Sequence, residues 1–268
     1  MKTVAWKLGS VVAIVLGLAG CGTVPSTPKA GYKATDGAPK SVLWVGNSFF
    51  YYNNSMHGHV GNLLSAAKVT GIRQTSATIS GSGINWHDVS AHFKPGGVGS
   101  YSFLPGNVVK FNTLDRPFDV VMMMDCSQCP IHPQLQSVFY EYAKKHSDTV
   151  RSYGAEPALF ASWAYQDAPE MTEQLLNEYV KAGKANNAQV IPAGLAFANS
   201  IKIKPDLNLY VADKRHPSLA GTYLAANVVL ASLFKQNPVG NTYTAGLPAE
   251  TAKHLQQVAW DTVQTFKP

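Results

Sequence analysis

Residues 41–53, SVLWVGNSFFYYN, constrain the fold more than any other stretch of the chain. Four of the five residues from Val42 to Gly46 are apolar and do not alternate, the pattern of a short strand buried on both faces of a parallel sheet. The run stops at Gly46-Asn47-Ser48, where glycine permits a sharp change of direction. Ser48 is thereby set where a strand ends and a turn begins, the edge at which open parallel sheets bind ligands. A serine there can equally be a turn or helix-cap residue, because its hydroxyl bonds backbone N–H groups well.

The rest of the chain alternates between the two periodicities. Met56, Val60, Leu63, Leu64 and Ala67 recur at spacings of three and four and predict a crossover helix ending near Gly71. Residues 73–80 read as a second, less hydrophobic strand, 119–124 (DVVMMM) as a third, 156–163 as a fourth and 189–192 as a fifth. Helical patterns fill 135–153 and 169–184, a clear helix starts at Leu219, and a terminal helix lies within 241–268. Strand and helix in alternation predict a three-layer α/β/α sandwich on a mostly parallel sheet of about five strands. Strand ends at Ser48, Gly81, Asp125 and Trp163 then share one edge. Residues 93–107, thick with Gly, Pro and Ser, read as a long loop over it.

At 268 residues and 46% hydrophobic, the chain can bury one sizeable core, and residues 41–268 are expected to form a single domain. The net charge of +6 comes from scattered lysines and arginines without a basic run, so no nucleic-acid partner is expected. Residues 1–21 read as a targeting segment: Lys2 and Lys7, an apolar core over 8–18, then Leu18-Ala19-Gly20-Cys21. That tetrad resembles the bacterial lipobox, and the resemblance implies lipidation at Cys21, anchorage to a membrane and a cell-envelope location. Gly22, where an inner-membrane retention signal would have aspartate, favours the outer membrane by the same analogy. The apolar core is short of the roughly 20 residues a spanning helix needs. Residues 22–40, polar and rich in Pro, Gly, Thr and Lys, read as a flexible tether.

Chemistry-bearing residues gather at four places. Gly81-Ser82-Gly83 can bring a backbone N–H against a ligand oxygen or be a plain glycine turn. Cys126 and Cys129 can be a redox pair, half a zinc site or a local disulfide; the disulfide or a structural pair is preferred, because no thioredoxin-like context or fourth metal ligand accompanies them. His57 and His59 are two apart and point to different faces of a helix, so no metal site is expected there. In residues 213–223, DKRHPSLAGTY, the Asp213 carboxylate can fold back onto one imidazole nitrogen of His216 and leave the other free. That is the orienter and base half of a serine triad. No cofactor is expected.

Gly-Asn-Ser near the start, glycines after the second strand and Asp-x-x-His-Pro before a late helix together resemble blocks I, II and V of the SGNH, or GDSL-like, hydrolases. The likeness spans residues 41–235 and is nearest the bacterial branch that begins with GNSF. It implies a flavodoxin-like α/β fold with Ser48 as nucleophile, His216 as general base and acid, and Asp213 as its orienter. The backbone N–H groups of Ser48 and of Gly81 or Gly83 would supply part of an oxyanion hole. The usual third block offers an asparagine donor. Here DCSQC follows the strand instead, so Ser127 or Gln128 is expected to stand in. Gly46-Asn47-Ser48-Phe49-Phe50 lacks the final glycine of an α/β-hydrolase elbow. The expected function is ester hydrolysis through an acyl-serine intermediate, first on carbohydrate acyl groups and then on short-chain lipid or aryl esters. Asn47, Phe49, Trp86 and Trp163 are expected to shape the substrate site. The alternatives are an envelope lipoprotein that binds glycan or peptide without catalysis, and a redox or metal protein built on Cys126, Cys129 and His132.

Overall fold

The structure is a computed structural model that describes residues 37–94, 96–98, 101–104, 106, 108–111 and 117–268. The expected targeting segment 1–21 with Cys21, and most of the tether 22–40, lie outside the described residues. Five parallel strands form one sheet: β1 (Ser41–Gly46), β2 (Arg73–Thr78), β5 (Val120–Met123), β6 (Glu156–Phe160) and β7 (Gln189–Ile191), in the order β2-β1-β5-β6-β7. Counted along this sheet the order is 2-1-3-4-5, so the chain reverses its direction of winding beside β1. The crevice outside the carboxyl ends of β1 and β5 is therefore where a doubly wound sheet binds its ligand.

Because successive strand residues face opposite ways, each central strand feeds two cores. Val42 and Trp44 of β1, Met122 of β5 and Phe160 of β6 pack on one side. They meet α2 (Met56–Ala66), α5 (Ala193–Ile203), α6 (Leu219–Leu233) and α7 (Ala249–Thr265). Leu43, Val45, Val121, Met123 and Leu159 face the other side, under α3 (Gln136–Ser152) and α4 (Met171–Ala185). The helix α6 is buried from Ala220 to Leu233, because α7 covers the face turned away from the sheet. Within this sheet β2, an edge strand, is half-buried along its whole length, which accounts for its polar sequence.

Three features depart from the sequence reading. The segment 93–107, expected to be loop, contains the strand β3 (Tyr101–Leu104), which pairs antiparallel with β4 (Val108–Phe111) just beyond it. Residues 193–203, for which no element was expected, form α5. The fourth strand ends at Phe160, three residues short of Trp163.

Candidate active site

Gly46 closes β1 because nothing larger fits. A Cβ there would lie 2.6 Å from Met124 Cγ and 2.8 Å from Phe50 Cδ2, both in the core. Asn47 follows in extended conformation and caps the one-turn helix α1 (Ser48–Tyr51), its Oδ1 accepting from Phe49 N–H at 3.1 Å. Its Nδ2 donates to Ser82 O at 3.0 Å and to Asp125 O at 3.1 Å, joining the ends of β1, β2 and β5. Ser48 thus starts a helix whose approach is fixed on three sides.

The base arrives from the other end of the chain. A bridge between Tyr210 and Pro217 and hydrogen bonds from Val211 N–H to His216 O (3.0 Å) and from Ser218 N–H to Leu209 O (2.9 Å) shape residues 209–218 into a tight loop. Ser218 then caps α6 through its hydroxyl, which accepts from Gly221 N–H. Within the loop, the Asp213 carboxylate takes the backbone N–H groups of Arg215 and His216 at 2.8 and 2.9 Å, and His216 Nδ1–H at 2.5 Å. Partial burial pushes the Asp213 carboxyl up, but the His216 ring and those two backbone donors outweigh it and hold it at about 2. The Ser48 hydroxyl donates to His216 Nε2 at 2.7 Å, although the two residues are 168 positions apart. An ionised orienter, a base with one nitrogen free and an alcohol in hydrogen-bond contact form a continuous line.

Aromatic rings frame the imidazole. Tyr52 stacks on it at 4.2 Å between centroids and Phe49 meets it edge-on at 5.4 Å. Phe49 in turn stacks on Trp163 at 4.7 Å, and Trp163 on Phe197 at 4.3 Å. Trp163 has no exposed surface, and its indole N–H donates to Arg215 O at 3.0 Å. It supports the His216 loop from inside the core. Of the residues expected to shape the substrate, Asn47 and Phe49 are 4% exposed beside Ser48, which is 7% exposed, and the Asn47 amide is engaged by Ser82, Asp125 and Phe49, whereas Trp163 is wholly within the core. Trp86 differs, at 61% exposed beside the Gly83 turn.

The turn after β2 is joined to Asn47, the residue before Ser48, through the Ser82 carbonyl. Gly81 has φ of +70° and open space around it, whereas Gly83 is buried, with Asp125 Oδ1 3.1 Å from the position of an added Cβ. The backbone N–H groups of Ser48 and Gly83 donate to no acceptor among the described residues. Asp125 Oδ1 accepts from Ile84 N–H and Cys126 N–H, each at 2.7 Å, and so ties this turn to the loop after β5. Burial raises the Asp125 carboxyl to about 6, with those two donors pulling against it. Below the turn, Ser82 Oγ donates to Gly46 O and meets His87 Nε2 at 2.9 Å. Burial first, then the nearby His92 and His146, push the His87 imidazole down to about 4, so it stays neutral.

The expected stand-ins for the third-block asparagine lie in the loop after β5. Ser127 Oγ is hydrogen-bonded to Tyr165 OH at 2.6 Å, and Gln128 is exposed with no side-chain partner among the described residues. Neither is held toward Ser48 by any bond. Cys126 and Cys129 are joined in a disulfide. Among the described residues, Asp125, Cys126 and Cys129 are the one group close enough to share a metal ion, and both thiols are consumed in that bond. His59 is held by Asn53 O and Tyr243 OH. A cavity of about 440 Å³ walled by Tyr165, Phe197, Ile201, Leu207 and Tyr210 includes neither Ser48 nor His216, so chemistry rather than concavity locates the site.

No protein-family model and no curated protein matches the chain. Its structure is similar to that of a DUF4886 family protein from Bacteroides uniformis, with TM-score 0.60 and 18% identity over 84% of this chain and 95% of that one. It is also similar to Axe2, an acetylxylan esterase from Geobacillus stearothermophilus, with TM-score 0.52 and 16% identity over 74% of this chain and 95% of that one. Among the Axe2 structures are catalytic mutants of a serine, an aspartate and a histidine, the last two three residues apart. At such identities the likeness is one of fold. The strand order, the helices on both faces and the overlap with Axe2 show that this chain has the α/β fold of the SGNH-like hydrolases.

Proposed function

We propose that the protein is a serine ester hydrolase that works through an acyl-serine intermediate and removes acyl groups from carbohydrate. The observation that carries the reading is the unbroken Asp213–His216–Ser48 line, with contacts of 2.5 and 2.7 Å. His216 Nε2 takes the Ser48 proton as Oγ attacks the ester carbonyl, and the tetrahedral oxyanion is met by the N–H groups of Ser48 and Gly83. His216 then gives the proton to the departing alkoxide, leaving the acyl group on Ser48. Water, deprotonated by the same nitrogen, repeats the sequence and releases the acid.

The carbohydrate part of the proposal is supported by the fold shared with an acetylxylan esterase and by Trp86, an exposed ring beside the site that suits a sugar face. The lipobox-like Leu18-Ala19-Gly20-Cys21 supports a lipid-anchored protein of the cell envelope. The test is hydrolysis of an activated aryl acetate by the protein and by Ser48→Ala and His216→Ala. Each variant is expected to lose at least about 10³-fold in kcat. Activity that survives Ser48→Ala sinks the assignment, and a folded but inert parent turns the site into one for binding alone.

A further inference from the structure

Ser48 and His216 belong to distant parts of the chain, and their contact needs a brace. Directly after α1, Asn53, Asn54 and Ser55 run through the left-handed region with φ of 53°, 65° and 69°. Three consecutive non-glycine residues in that conformation are strained, and such strain persists only where the surroundings enforce it. The enforcement is visible. The Asn53 carbonyl accepts from His59 Nε2–H at 2.7 Å, and His59 Nδ1 accepts from Tyr243 OH at 2.8 Å. The strained turn aims the Asn53 amide across to the base: Nδ2 donates to Pro217 O at 2.9 Å and to Thr222 Oγ1 at 2.8 Å. Among the described residues these are the only side-chain hydrogen bonds between residues 49–55 and residues 209–222. The preceding residue, Tyr52, is the one stacked on the imidazole.

We propose that Asn53 is the positioning residue that sets the Ser48–His216 distance, clamping the strained turn after the nucleophile to the Pro217 carbonyl beside the base. The inference rests on the serine-hydrolase reading for its effect on rate, but the clamp itself can be read without turnover. On its far side, the His216–Pro217 segment is already strapped to residues 209–211, and the preceding Arg215 carbonyl to Trp163. Removing the Asn53 amide frees the near side alone. The imidazole then moves with its loop, away from the hydroxyl, and proton transfer is lost in proportion to the time spent out of hydrogen-bond range. Both hydrogens on Nδ2 are committed to the protein, so substrate affinity does not depend on them.

Asn53→Gly isolates the amide, because glycine adopts φ near +53° without strain. Three readouts decide: kcat and KM on an activated aryl acetate, the rate of Ser48 modification by a fluorophosphonate, and the ¹⁵N resonance of His216 Nε2. Expected in Asn53→Gly is a parallel 10- to 100-fold fall in kcat and in modification rate, with KM within twofold of the parent. The Nε2 resonance moves toward its position in Ser48→Ala, where the hydrogen bond from the hydroxyl is absent. Asn53→Asp, which has no donor to offer Pro217, gives the same pattern. An Nε2 resonance that stays in place, or a raised KM with kcat unchanged, overturns the proposal. A parent that is inert and unmodified refutes the hydrolase reading instead, and the resonance still decides the clamp.

Discussion

Replacing Asp125 by asparagine separates the cost of a buried charge from the value of the hydrogen bonds it makes. The residue is 2% exposed, and its carboxyl is raised from 3.8 to about 6, first by burial. A group that holds its proton more tightly in the folded state favours folding while protonated. Its contribution is complete below about pH 4 and is lost as pH rises through about 6. A shift from 3.8 to about 6 is about 2 pH units, and at 1.36 kcal/mol per unit it corresponds to about 3 kcal/mol at neutral pH. Asparagine does not titrate, yet its Oδ1 can accept from the N–H groups of Ile84 and Cys126, both of which bond Asp125 Oδ1. Urea unfolding of the parent and of Asp125→Asn at a series of pH values gives the difference directly. Relative to the parent, the variant should gain about 2–3 kcal/mol between about pH 4 and about pH 7, at an unchanged urea slope. A difference that stays flat across that range refutes the argument, since it means the carboxylate is as well solvated in the fold as in the unfolded chain.

Three further outcomes are expected. Gly83→Ala should reduce kcat by about 10²-fold or more, because its Cβ would lie 2.7 Å from Asn85 Oδ1 and 3.1 Å from Asp125 Oδ1 and so shifts the turn that carries a candidate oxyanion donor; Gly81→Ala, in open space, should lower stability by about 1–2 kcal/mol through its left-handed φ and leave kcat within a few-fold. Equal effects of the two on kcat would count against Gly83 as the donor. Reducing the Cys126–Cys129 disulfide, which closes a loop only three positions long, should lower the unfolding free energy by about 2 kcal/mol, measured by urea unfolding with and without reductant. Trp86→Ala should raise KM for an acetylated xylooligosaccharide by about 3- to 10-fold, the size of one aromatic contact, and leave an aryl acetate unaffected; the same change on both substrates would remove the ring from substrate binding.

The sheet was legible where burial on both faces left its mark in sequence. β1, β5 and β6 are nearly uninterrupted apolar runs because helices cover both sides, and the strand–helix alternation gives the parallel order that the structure has. The helix α5 was invisible for the opposite reason. Its sequence AGLAFANSIKI is held between α6, α7 and the end of β6, where Gly194 lies against the Ser162 carbonyl. Its inward positions 193, 196, 197, 200 and 201 keep a helical spacing, but small and polar residues hold three of them and weaken the contrast with the outer face. The ribbon of β3 and β4 was hidden by its shortness, since four-residue strands set among Gly and Pro look like loop.

At the site, the spacing of Asp213 and His216 was readable because their contact is local, three residues apart. What aims them is not local. Asn53 reaches 164 positions to Pro217 and Trp163 reaches 52 to Arg215, and no window of sequence carries such pairings. Burial misled in the same way: an aromatic at a strand end reads alike whether it faces ligand or core, and Trp163 faces core. The loop after β5 shows what the missing third-block asparagine changes. Its first residue, Asp125, is a hydrogen-bond acceptor that holds the Ile84 and Cys126 N–H groups, and a disulfide follows it. An acceptor cannot replace a donor toward an oxyanion. In the proposed reaction the backbone N–H groups of Ser48 and Gly83 meet the developing charge, and Asp125 serves it by fixing the turn that carries one of them.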